Sequence, residues 1–321
     1  MSTQSIDRLE DTEQAAVDDE HPWPGLASFR EQDGRFFFGR DTDIEALQTR
    51  VARERLTVLF GKSGLGKSSL LQAGLFPRLR RDNLLPVYIR LDFGEAAGGL
   101  LDQVRSAIRR AVQEKGIEAP STRSGETLWE YFHRKNAEFW DARNRIVIPV
   151  LCFDQFEEIF TLGCESKRHG PELPLFLTEL ADLIEGRCPE TVKTRLDGNP
   201  GAARDFSFAR HPYKLILSLR EDFLADLEGL RGSIPSVIHN RVRLQRMDGQ
   251  QAFAVADQTQ GRLMERDVAE AIVRVVTGEQ GEDRRELNAL HIEPALLSLV
   301  CRELNEKRIA DRTDRIDARA V

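Results

Sequence analysis

Apolar residues in this chain cluster into short dense runs, separated by longer stretches in which they recur every three or four positions. Dense runs bounded by turn residues predict buried strands, and the wider recurrence predicts amphipathic helices. Strands are predicted over residues 56–60, 86–93, 146–153, 214–219 and, more weakly, 241–244. Helices are predicted over 100–113, 127–143, 173–185, 250–262, 267–277 and 294–307. Another is predicted from Thr42 to about Glu54, because Thr42 and Glu45 have capping-box spacing. Residues 186–213, rich in Gly, Pro, Asp and Arg, read as a long irregular excursion. Apolar strands alternating with helices predict an α/β fold, with a parallel sheet covered on both faces. After about residue 247 the pattern is helical throughout. The expected organisation is therefore a disordered acidic tail over 1–20, an α/β domain over 21–247 and a helical subdomain over 248–321. There is no internal repeat.

The run 56–60 leads directly into Gly61-Lys62-Ser63-Gly64-Leu65-Gly66-Lys67-Ser68, and Ser69 continues into a helical pattern. This fits the phosphate-binding loop G-x-x-x-x-G-K-[ST] in the strand–loop–helix setting the motif requires. Glycines let the backbone curl so that several N–H groups point at one anion. The helix N-terminus adds orphan donors and partial positive charge. Lys67 is expected at the β- and γ-phosphates and the Ser68 hydroxyl on Mg²⁺, with Gly61 through Ser69 lining the nucleotide.

The run 146–153 ends in Asp154-Gln155-Phe156-Glu157-Glu158. An acid at the C-terminal end of a buried strand is the Walker B arrangement, so Asp154 is expected to hold Mg²⁺, directly or through water. A nearby Glu can orient or deprotonate an attacking water. Glu157 and Glu158 are both candidates, because Gln155 stands where an adjacent Glu often does. Arg220 ends the run 214–219. On a strand between the P-loop and Walker B strands it would sense the γ-phosphate; otherwise it is a surface Arg paired with Glu221 or Asp222. No obvious arginine finger stands out; Arg241 is a candidate for one, with a structural role the preferred reading.

Composition narrows the class. The chain has 321 residues, 40% hydrophobic and 31% charged, as in a soluble globular protein. No apolar run approaches the length of a membrane span, and the front of the chain does not read as a signal peptide. The net charge of −7 gives no specific nucleic-acid signal. Cys152 and Cys301 sit in apolar runs, and none of the four cysteines has metal-ligand spacing, so a reducing cytoplasm is the expected setting.

Taken together, Pro22-Trp23-Pro24-Gly25-Leu26, Phe37-Phe38-Gly39-Arg40, the P-loop, Asp154 to Glu158, and Leu219-Arg220-Glu221-Asp222-Phe223 resemble STAND-class NTPases. The match is to the bacterial novel STAND type, related to AP-ATPases and NACHT proteins, over about residues 21–310. The resemblance implies an ASCE-type P-loop core with sheet order 5-1-4-3-2 and a C-terminal helical subdomain closing over the nucleotide. It implies ATP/ADP and Mg²⁺ as cofactors, Gly39 and Arg40 beside adenine and ribose, and Pro294 at the base, although Pro294 also suits the first residue of a helix. It implies a slow ATPase switch for signal transduction, in bacterial defence or stress signalling, acting through a nucleotide-dependent homo-oligomer and unidentified sensor or effector proteins. Relatives usually add a winged-helix domain and sensing repeats. Their absence here implies either a fragment or truncated product, or a sensor and effector that lie elsewhere. Two other readings stay open: an AAA-like remodelling or DNA-loading ATPase, and a scaffold that binds nucleotide without hydrolysis.

Overall fold

The structure, a computed structural model, describes residues 17–259, 261–278 and 286–317. Most of the tail expected over 1–20 therefore lies outside the described residues. The chain divides into two compact units. One comprises 47–60 and 78–243 and holds the sheet; the other comprises the chain up to Ala46, the segment Gly61–Pro77 and the chain from Leu244.

The sheet is built from β1 (Leu56–Gly61), β2 (Leu84–Ile89), β3 (Phe139–Trp140), β4 (Ile146–Phe153), β5 (Lys214–Arg220) and β6 (Arg241–Arg243). Its spatial order is β2-β4-β5-β1-β6, with β3 antiparallel on β4. Leaving β3 aside and renumbering the rest in chain order, this is 5-1-4-3-2. Pairings run in parallel register from Leu84↔Ile148 to Ile89↔Phe153, from Val150↔Lys214 to Phe153↔Leu217, and from Val58↔Arg241 to Phe60↔Arg243. Helices cover both faces, so the central strands read as continuous apolar runs, and Val58, Leu59, Leu151, Cys152, Leu215 and Ile216 are fully buried. Pro149 is tolerated inside β4 because the Ile148 amide already bonds Asn83 on the β2 side. The missing Pro149 N–H falls on the other side, where β5 pairing starts only at Val150.

Several elements depart from the pattern-based expectation. The helix expected over 127–143 stops at His133, and Arg134 is already extended. The chain then returns as β3, because pairing with β4 buries Phe139 in the sheet core. The strand expected over 86–93 runs Leu84–Ile89 and gives way to a turn in which Asp92 Oδ1 accepts from Gly94 N at 2.8 Å. The excursion at 186–213 contains a helix, Glu190–Gly198, anchored by fully buried Val192. The helix after residue 40 begins at Asp41, one residue before Thr42, so the expected Thr42 cap does not form.

The other unit has its own apolar core. The helices Gly249–Ala256, Arg266–Val276 and Pro294–Ala310 pack around Ala252, Met264, Ile272, Leu297 and Cys301. A two-stranded ribbon, β7 (Met247–Asp248) with β8 (His291–Ile292), joins them. Trp23 belongs to this core, with its indole N–H donating to Val255 O at 3.1 Å. Gly25 N donates to Ser298 Oγ at 3.1 Å, so the turn at 22–26 is fastened to the last helix.

Candidate functional site

At the end of β1 the chain enters a loop whose conformation only glycine accepts readily. Gly64 and Gly66 have φ of +76° and +81°, in the left-handed region where a Cβ is strained. Gly61 is needed for a different reason: a Cβ there would lie 2.6 Å from Leu244 O. Leu65 is buried and anchors the loop, while Lys62, Ser63 and Gly64 are exposed. Lys67 is the first residue of the following helix, and its ammonium donates to the carbonyls of Gly61 and Lys62 at 3.0 Å each. Ser68 follows within the first turn. The helix passes through a π-helical segment, Leu70–Leu75, where Gly74 allows close packing: a Cβ there would lie 2.8 Å from Ile44 Cδ1. Ser69 Oγ accepts from Phe29 N at 3.1 Å, which ties this helix to the N-terminal segment.

In the sheet unit, Asp154 follows the last residue of β4 and is 3% exposed. Both its carboxylate oxygens are held by hydroxyls from flanking strands. Ser218 Oγ on β5 donates to Oδ1 at 2.8 Å, and Tyr88 Oη on β2 donates to Oδ2 at 3.0 Å. Gln155 then takes φ +51°, ψ +42°, a left-handed conformation uncommon for a side chain of this size. That turn redirects the chain so that Glu157, also buried, accepts from the Arg220 amide through Oε2 at 3.2 Å. Glu158 is paired with Arg90 at 3.3 Å. Burial and the nearby Asp154 push the Cys152 thiol pKa well above its ordinary value, so this thiol is inert.

A family model for Novel STAND NTPase 1 matches residues 22–308. This chain belongs to the novel STAND NTPase 1 family. It is accordingly a nucleotide-binding P-loop NTPase by family, and solved structures agree on the fold. The Aeropyrum pernix ORC2 protein, in its ADPNP–ADP complexes, is 15% identical with a TM-score of 0.52, over 88% of this chain and 65% of that one. A Walker-type ATPase of Pyrococcus abyssi is 15% identical with a TM-score of 0.50, over 89% of this chain and 73% of that one. Cdc6p from Pyrobaculum aerophilum is 16% identical with a TM-score of 0.49, over 86% and 64%. This STAND NTPase therefore spans a little under two thirds of the Cdc6p and ORC2 chains. Among curated proteins none matches it.

The remaining residues singled out in the sequence of this STAND NTPase fall into four environments. Arg220 ends β5, the strand between β1 and β4, as its expected role requires. Its guanidinium also makes the surface pairing left open in the sequence, to Asp222 at 2.8 Å, while its Nε is buried with no hydrogen-bond partner. Arg241 is structural: it donates to Val237 O at 2.7 Å and pairs with Glu228. Gly39 is half-buried and Arg40 buried, and both meet backbone groups. A Cβ on Gly39, at φ +78°, would lie 2.4 Å from Gln251 O. Arg40 is 2% exposed and donates to Asp43, Leu65 O and Gln245 O. Burial pulls its pKa below the ordinary value and the Asp43 carboxylate opposes that. Pro294 is the first residue of its helix, and the next amide, Ala295 N, donates to Gly64 O at 3.3 Å.

Two residues escaped the sequence reading, Tyr88 and Ser218. Ser218 is the one polar residue inside the apolar run Leu215–Leu219, a signal that a buried hydroxyl had a partner to find. Nothing comparable marks Tyr88, whose ring suits any sheet face.

Proposed function

We propose that this protein is a Mg²⁺-dependent ATP switch that hydrolyses ATP slowly and alternates between ATP- and ADP-bound forms to transmit a signal. The observation that carries the reading is the complete phosphate loop, with left-handed Gly64 and Gly66 and Lys67 opening a helix. Family membership over residues 22–308 supports it. In this reading Lys67 and the loop amides take the phosphates. The donor set suits Mg²⁺: Ser68 and Asp154 offer hard oxygens, and among the described residues there is no cluster of three or more His, Cys, Asp or Glu. Mg²⁺ binds that way, through one or two protein oxygens plus waters and phosphates. When bound it neutralises charge on the phosphates. Glu157 or Glu158 takes the proton of the attacking water, and Arg220 reads the γ-phosphate. Nucleotide-dependent self-association and separate sensor or effector proteins complete the signalling role. Free thiols in all four cysteines accord with the cytoplasm.

The test is thermal unfolding with ADP and Mg·ATP. At a ligand level 100 times Kd, stabilisation is about 2.7 kcal/mol, or roughly 5–10 °C in a domain of this size. Lys67→Ala should remove the shift, and no shift in the parent protein overturns the reading. Arg220→Ala should weaken binding of a non-hydrolysable ATP analogue and leave ADP binding nearly unchanged. The other reading, a remodelling or DNA-loading ATPase, draws on the fold shared with an ORC2 protein. Turnover measured with and without DNA separates the two, since a switch should stay slow in both.

A further inference from the structure

Two carbonyls of the phosphate loop are already occupied, and from outside the loop. Gly64 O accepts from Ala295 N at 3.3 Å, and Leu65 O accepts from Arg40 Nη2 at 3.1 Å. A trans peptide is planar, with its C=O and N–H pointing in opposite directions. Holding the Gly64 carbonyl toward Ala295 therefore directs the Leu65 N–H the other way. Holding the Leu65 carbonyl toward Arg40 does the same for the Gly66 N–H. These are consecutive amides of a loop whose left-handed glycines form an anion nest.

We infer that Arg40 and the start of the Pro294–Ala310 helix are positioning elements of the phosphate loop, setting two of its amides toward the phosphates, and that Arg40 does not act by touching base or ribose. The inference deepens the nucleotide-binding reading and rests on it.

The environment of Arg40 fits that role. Its side chain is 2% exposed, and its donors are divided between Asp43, Leu65 O and Gln245 O. A buried guanidinium with three such partners is fixed in place and is not a flexible contact waiting for a ligand. Pro294 acquires a specific purpose as well. Proline has no N–H and pre-sets helical φ at the first position, so the first free donor of this helix end is Ala295 N, the group that meets Gly64. Gly64 is required here by its left-handed φ of +76° and not by space, since a Cβ there would lie 3.6 Å from the Ala295 Cβ, an ordinary van der Waals distance.

Inorganic pyrophosphate, which has neither base nor sugar, provides the discriminating probe. Affinities for ADP and for pyrophosphate are measured on the parent, Arg40→Met and Arg40→Lys, with melting temperatures as a folding check. Arg40→Met should weaken both ligands by the same factor, about tenfold, the value of one charge-assisted hydrogen bond. Arg40→Lys, which keeps the charge, should recover part of the loss for both. The Leu65 and Gly66 amide resonances of the ligand-free protein should also shift in Arg40→Lys. Loss of ADP binding with pyrophosphate binding intact would assign Arg40 to base or ribose and overturn the inference, as would unmoved Leu65 and Gly66 resonances. If Arg40→Met does not fold, the same comparison in Arg40→Lys decides. A parent protein that binds neither ligand is a different failure, that of the nucleotide-binding reading itself.

Discussion

In the phosphate loop the groups available to a ligand are main-chain amides, and what fixes them is backbone conformation: left-handed Gly64 and Gly66, and Gly61 pressed against Leu244 O. At the end of β4 the available groups are carboxylates, and what fixes them is side-chain hydrogen bonding, from Tyr88 and Ser218 to Asp154 and from the Arg220 amide to Glu157. One region tolerates no Cβ at particular positions; the other tolerates a left-handed glutamine, Gln155. A polyphosphate presents several oxygens around a small volume, which a curled backbone can meet at many points. A cation needs a few well-aimed oxygens, which one rigidly held carboxylate supplies.

The largest expected effect tests the same backbone principle at a glycine outside the loop. Gly39→Ala combines a left-handed φ with a Cβ placed 2.4 Å from a backbone oxygen, which cannot move aside as a flexible side chain could. The expected destabilisation is about 3–4 kcal/mol, near the upper end for single substitutions. Chemical denaturation measures it, and a loss under 1 kcal/mol would mean the Gln251 segment yields easily.

Next comes a titration confined to the sheet unit. His133 is 1% exposed, stacked on Trp129 and bonded to Ser207 O and Tyr213 Oη. Burial is the main reason its pKa is pushed down from 6.5 to about 4. Above pH 6.5 the imidazole is neutral in both states and its contribution to stability is complete. As pH falls from 6.5 toward 4, the unfolded chain takes up a proton that the folded chain refuses, and stability drops by about 3 kcal/mol. Equilibrium unfolding across that range should show the decline, and His133→Phe should flatten it. An unchanged slope in the variant places the dependence elsewhere.

The side-chain half predicts smaller, coupled effects. Tyr88→Phe and Ser218→Ala each remove one hydroxyl from Asp154 and should each cost roughly 1–2 kcal/mol of stability. Both should raise the Mg²⁺ concentration needed for nucleotide turnover. Because they act on one carboxylate, the double variant should depart from the sum of the singles. Strict additivity would show that Asp154 does not depend on the pair.

The smallest effect has the opposite sign. Gln155→Gly should stabilise the fold by about 0.5–1 kcal/mol, since glycine adopts a left-handed turn without the Cβ penalty. If the variant is less stable, the Gln155 side chain earns its place through a contact that outweighs the strain.

These contrasts also explain how much could be read from the chain alone. The strands at 146–153 and 214–219 and the helix at 173–185 were legible because each is long enough for its own hydrophobic pattern to decide it. The β3 strand was not, because Phe139 and Trp140 are strand only by virtue of β4 beside them. Within the site, Gly61, Gly64, Gly66, Lys67 and Asp154 stood out, since residue type alone carries their conformational or chemical role. Arg40 and Pro294 also stood out, yet in this structure it is Arg40 and Ala295, the residue after Pro294, that bond the loop backbone.

By itself the sequence determined the order and type of the main elements, the presence of a phosphate loop and the family. Those properties depend on neighbours along the chain: hydrophobic period, glycine freedom, a lysine at a helix start. Only the tertiary structure decided that Ser218 and Tyr88 hold Asp154, that Arg220 and Glu157 are joined through an amide, and that Arg40 bonds the carbonyl of Leu65 and Ala295 that of Gly64. Each of these is a hydrogen bond between groups 63 to 231 positions apart in the chain or, for Arg40 and Leu65, 25 apart. Such bonds are set by how strands and helices come to lie beside one another, and no local pattern records that.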